Sequence, residues 1–156
     1  MNRDRWKRVE RNVAAALNEA LSGIGDFTSI ERIPLLGREG PDLTVNETGL
    51  VINVKSRIEI PDRLFSVSER ILNIGNYSCF RLEDLAKLPG MPINAGTDPW
   101  KRLDDWWLRM DKWTKEFQPE GITCIIIHRP RMPIGHAGVV IHHTDLWRLS
   151  CQIKTH

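Results

Sequence analysis

The chain has 156 residues, is 41% hydrophobic and 27% charged, and carries a formal net charge of +2. That length and balance suit one globular domain over residues 1–156. The charge is too mild to argue by itself for a nucleic-acid partner, and the longest apolar runs are far too short to span a bilayer, so no membrane partner is expected. Cys79, Cys124 and Cys151 are odd in number and form no CxxC pair or zinc spacing. Reduced thiols, with a highly charged N-terminal stretch that has no apolar leader, lead to the expectation of a cytoplasmic protein.

Residues 2–22 read as a helix, with Trp6, Val9, Val13, Ala16 or Leu17, and Leu21 at helical spacing and Gly23 and Gly25 as the stop. Arg3, Arg5, Lys7, Arg8 and Arg11 crowd this helix against Asp4 and Glu10. Such a stripe can contact phosphates, though a solvated helix face is the more common explanation of any charge run. Glu10 falls at the edge of the apolar stripe, where it can aim inward at a site or pair on the surface with Lys7 or Arg11.

Residues 28–36 read as a strand made irregular by Pro34. The loop 37–41 delivers Asp42, and its two glycines let backbone approach a ligand closely. A β-hairpin follows, with residues 42–45 and 50–55 as its arms and residues 46–49 as the turn. Alternation puts Asn53 and Lys55 on one face of the second arm and Ile52 and Val54 on the other. Pairing across the hairpin can bring Asp42 near both. An acid, an amide oxygen and a lysine at one spot can hold a hard divalent cation against a phosphate.

Residues 61–74 read as a helix through Leu64, Val67, Ile71 and Ile74, and residues 81–88 as a shorter one. The strongest helical pattern runs over residues 98–118, with Asp98 as N-cap, Pro99 at the first position and a stripe of Trp100, Leu103, Trp106 or Trp107, Met110, Trp113 and Phe117. Adjacent Trp106 and Trp107 are not expected to share one core, so one of them should cover the inserted region or a second subunit. Residues 122–128 form a continuous apolar strand, residues 138–142 another, and Thr144 is expected to cap a last short helix.

Gly40-Pro41-Asp42, the hairpin, and Ile52-Asn53-Val54-Lys55-Ser56-Arg57 together resemble the PD-(D/E)XK nuclease superfamily. The likeness is nearest to its Holliday-junction-resolvase-like branch, in which the second arm ends in Glu-x-Lys-Ser-Arg and the first helix bears a glutamate after basic residues. It covers roughly the first third of the chain. It implies an α/β fold with a restriction-endonuclease-like α-β-β-β-α-β core, a mixed central sheet flanked by helices, and here a helical insertion over residues 57–96. It also implies an Mg²⁺- or Mn²⁺-dependent endonuclease acting on DNA, branched DNA included, in recombination, repair or phage DNA processing in a bacterial or phage-infected cell. A homodimer would suit such a task.

Carried over residue by residue, Asp42 becomes the central metal ligand and Lys55 the group on the attacking water and scissile phosphate. Asn53 and Glu10 complete the catalytic and metal set, and Arg8, Arg11, Arg38 and Arg57 become the DNA contacts. The departure is Asn53, which stands where the family has an acid and is a weaker ligand for a hard cation. Glu69, Asp104 or Asp111 could supply a compensating carboxylate. The rival expectation is a catalytically impaired relative that binds DNA or a protein without cutting. His128, His136, His142 and His143 follow no metal-ligand spacing, and no phosphate-binding Gly-rich loop with Lys-Ser/Thr is present.

Overall fold

The structure, a computed structural model, describes residues 3–21, 30–32, 40–45, 48–56, 69–96 and 101–154. The apolar stripe of α1 (Arg3–Leu21) buries Val13, Leu17 and Leu21. Three strands follow: β1 (Ile30–Arg32), β2 (Leu43–Val45) and β3 (Leu50–Ser56), each antiparallel to the next. After them come β4 (Ile71–Ile74), β5 (Tyr77–Arg81), a 3-10 helix over Leu82–Gly90, and β6 (Ile93–Ala95). Then come α2 (Lys101–Phe117), β7 (Ile122–His128), β8 (Gly138–His142) and α3 (Leu146–Lys154).

The strands make one mixed sheet in the order β1-β2-β3-β7-β8-β5-β4-β6. β3 and β7 are parallel, Leu50 opposite Ile122 through Ser56 opposite His128. Parallel neighbours need a crossover rather than a tight turn, and α2 lies within that crossover.

Both sheet faces are covered, which is why β7 is apolar apart from Thr123 and His128. Ile122, Cys124 and Ile126 join the core beneath α1, α3 and the 3-10 helix, while Ile125 and Ile127 join the core beneath α2. Each fully buried Leu or Ile here contributes about 1.5–3 kcal/mol. Burial also pushes the Cys79 thiol up to about 12 and the Cys124 thiol in the same direction, so both are unreactive at neutral pH. No helix among the described residues is long and apolar enough to cross a membrane.

The β2–β3 turn is built by its own residues. Thr48 N and Gly49 N both donate to Val45 O, at 3.2 and 3.0 Å, and Thr48 Oγ1 accepts from Leu50 N at 3.3 Å. Gly49 has φ +77°, and a Cβ there would meet nothing within 4 Å. Gly49→Ala is therefore expected to lose about 1 kcal/mol in a denaturant titration through backbone strain alone. An unchanged midpoint would remove the strain argument.

The structure corrects four expectations. The insertion is not helical throughout: residues 57–68 lie outside the described residues, but Ile71–Ile74 is a strand, and β4 and β5 widen the sheet. Trp106 and Trp107 do share one core, at 7% and 8% exposure. A helix lying on a sheet presents a broad face, and the two indoles diverge across it, Trp106 toward Lys55 and Trp107 onto Tyr77 at 5.3 Å between ring centroids. Tyr77 belongs to the inserted region, so Trp107 does cover it. Phe117 is 48% exposed and ends α2 outside the core stripe. Thr144 does not cap α3; it lies inside a 3-10 turn, and His142 Nδ1 accepts from its backbone N–H at 3.3 Å. Asp98 and Pro99 lie outside the described residues.

Candidate active site

Asp42 stands just before β2, across from the β3 segment that carries Asn53. Its backbone N–H donates to Ile52 O at 2.8 Å. Its Oδ2 accepts from Val54 N at 2.8 Å. The side chain thus continues the β2–β3 ladder past the last backbone pair and holds the carboxylate at the end of the hairpin.

Glu10 arrives at the same spot from α1. It is buried, at 9% exposure, and its carboxyl is hydrogen-bonded to that of Asp42. Burial is the main cause that pushes Asp42 up to about 6, and the Glu10 carboxyl adds to it. The Val54 N–H and the Lys55 ammonium pull the other way. Two carboxyls therefore meet here, with the charge of Lys55 near enough to act on Asp42.

Lys55 follows Asn53 by two residues on the α2 side of β3. Its Nζ lies 5.6 Å from the centroid of the Trp106 ring, a contact of about 0.5–2 kcal/mol. Trp106 was missed as a site neighbour because its place in the apolar stripe of α2 reads only as core. Asn53 is 2% exposed, and its Nδ2 is buried without a hydrogen-bond partner. An amide nitrogen offers no lone pair to a cation, so only Oδ1 of Asn53 could ligate.

Arg8 and Arg11 are exposed on α1. Arg38 and Arg57 lie outside the described residues. The three acids considered as substitutes for position 53 are engaged elsewhere. Glu69 is bonded to Lys87 Nζ at 2.7 Å, Asp104 accepts from the Tyr77 hydroxyl, and Asp111 accepts from Thr123 Oγ1 at 2.7 Å. The histidines do not converge: His128 Nε2 meets Met132 O at 3.3 Å, and His142 and His143 stack on each other.

Among the described residues no group of three or more His, Cys, Asp or Glu side chains gathers into a metal-binding cluster. The donors that meet at Asp42 are its own carboxyl and that of Glu10, with Asn53 buried on the facing strand. That set fits Mg²⁺, which is commonly held by one or two carboxylates and keeps its waters, better than it fits a cation that needs a full protein cage. An apolar hollow of about 350 Å³ lies apart from these groups, between the 3-10 helix, β6 and α3. It is lined by Leu88, Ile93 and Trp147 among others and contains none of the candidate site residues.

Comparison with family models, with curated proteins and with solved structures finds no match to this chain. The site must speak for itself. What it can do chemically is concentrate negative charge beside one ammonium at the end of a hairpin, half-buried, where a cation and a phosphate could meet.

Proposed function

We propose that this chain is a PD-(D/E)XK-type, Mg²⁺- or Mn²⁺-dependent DNA endonuclease of the Holliday-junction-resolvase-like kind. The observation that carries the reading is the hydrogen-bonded Glu10–Asp42 carboxyl pair with the Lys55 charge beside it. The element order supports it too: a helix, three antiparallel strands, and a crossover through α2 to a strand parallel to the third.

In this reading Asp42 and Glu10 hold the cation, with Asn53 Oδ1 as an additional neutral donor. When bound, the cation supplies charge neutralisation at phosphorus and a more acidic water. Lys55, held against Trp106, donates hydrogen bonds to the attacking water and to a non-bridging oxygen of the scissile phosphate. The Val54 N–H fixes the orientation of the Asp42 carboxylate, so the acid does not have to be organised when substrate arrives.

A second reading has its own observation. Asn53 is buried where the family places an acid, and this favours a relative that binds DNA, branched or duplex, or a protein partner, without cutting. Incubation of duplex, single-stranded and four-way-junction DNA with Mg²⁺ or Mn²⁺ separates the two. Cutting that is lost in Lys55→Ala supports the enzyme. Binding without cutting under every condition would leave the impaired relative.

A further inference from the structure

We propose that the β7–β8 connection is a phosphate-gripping ridge, with Arg131 as its main contact and Arg129 beside it, for the DNA strand that flanks the Asp42–Lys55 site. The inference rests on the DNA-binding reading above and adds a surface to it.

The sheet register places the ridge. Lys55 lies opposite Ile127 and Ser56 opposite His128 on the parallel strand, and Ile127 in turn lies opposite Gly138. The connection from Arg129 to Ala137 therefore leaves the sheet at the end where Lys55 stands. Neighbouring strands are about 4.8 Å apart and the four residues from Ile127 to Arg131 reach at most about 14 Å. The backbone of Arg131 is thus within about 19 Å of that of Lys55, a span that an arginine side chain can shorten.

The connection is braced. Met132 N donates to Arg129 O at 3.2 Å, His136 N to Pro133 O at 3.0 Å and Ala137 N to Ile134 O at 3.0 Å. Ala137 is buried, Ile134 packs on the core beneath α1, and the turn they flank lies beside α1, the helix that bears Glu10. An arginine on a braced loop loses less freedom on binding than one on a tail.

The connection itself carries no acid, and the carboxylate that reaches it, Glu83, lies against Gly135 and His136. No Asp or Glu occurs from Gly121 to Thr144. Two other basic side chains nearby meet an acid: Arg81 Nη1 lies 3.3 Å and His136 Nε2 3.7 Å from Glu83 Oε1. Arg131 is exposed, and its guanidinium fork matches the oxygens of a phosphodiester. Its backbone has φ +72°, a conformation that glycine adopts at lower cost.

The test is fluorescence anisotropy with a labelled duplex and a labelled four-way junction, in EDTA, over a series of KCl concentrations, with thermal melts of the same variants. Arg131→Gly is expected to weaken binding roughly 3–10-fold and to lower the slope of log affinity against log salt by about one ion. The same variant should melt ~1–3 °C higher, since the backbone is relieved. Arg129→Ala should also weaken binding. Arg148→Ala removes the same charge at the opposite end of the sheet, where Arg148 holds Glu120 O at 2.7 Å, and should leave the slope unchanged. Wild-type affinity and slope in both ridge variants would overturn this inference while leaving the functional reading standing. A wild-type chain that binds neither DNA would overturn both.

Discussion

Asp42→Asn is expected to stabilise the protein at about pH 8 by about 1–3 kcal/mol while lowering metal-dependent cleavage on the order of 100-fold or more. The carboxyl of Asp42 is raised from 3.8 to about 6 in the folded chain. A raised carboxyl means that the folded state holds its proton more tightly than the unfolded state. Its stabilising contribution is therefore complete below about pH 4 and is lost as pH rises to about 6 and beyond. Above that range the native protein carries an ionised acid, half-buried beside Glu10. Asparagine removes the charge, retains an oxygen for the Val54 N–H, and can donate to the Glu10 carboxyl. The advantage of the variant in Tm should thus be larger at pH 8 than at pH 4.5, in metal-free buffer. Asp42→Ala should show no such gain, because it leaves the buried Val54 N–H without an acceptor. A gap that is flat with pH would contradict the carboxyl pairing on which the functional reading rests.

Asn53→Asp is expected to make the thermal stability of the protein depend on divalent cations more strongly than that of the wild type. In EDTA the new carboxylate, in a site only 2% exposed and across from Asp42, should cost about 2–4 kcal/mol. Mg²⁺ or Mn²⁺ at a hundred times its dissociation constant would return about 2.7 kcal/mol. Aspartate is the apt substitution because it has the shape of asparagine, whereas glutamate adds a methylene to a closely packed position. Melts with and without Mn²⁺, beside cleavage assays, read both effects. Equal melting of the variant in EDTA and in Mn²⁺ would mean that position 53 does not face the cation, and would end the assignment of Asn53 to the metal set.

The long elements were legible because each carries one strong period. α1 and α2 show helical stripes, and β7 shows a nearly continuous, isoleucine-rich apolar run of strand length. β4 was misread for a related reason. Ile71 and Ile74 are three apart, which suggests one helical face, yet in the strand they point into different cores, Ile71 beneath the 3-10 helix and α3 and Ile74 beneath α2. Spacing cannot separate a helix from a strand buried on both sides. The Asp42–Lys55 neighbourhood followed from hairpin alternation. The meeting of Glu10 with Asp42 did not, because no local pattern tells which part of a sheet a helix will cross. Only the family resemblance suggested it. Arg129 and Arg131 lie in a stretch without acids, a weaker sequence signal than the basic first helix.

The partnership of β3 with β7 has a consequence for how the chain comes off the ribosome. Leu50 finds Ile122 only after the whole inserted region and α2 have been made. Until then β3, rich in valine and isoleucine, has a bare margin that any passing strand could join. The nascent N-terminal third should therefore be the part of this protein that aggregates, or that recruits chaperones, and truncation before β7 should yield inclusion bodies rather than a smaller folded unit.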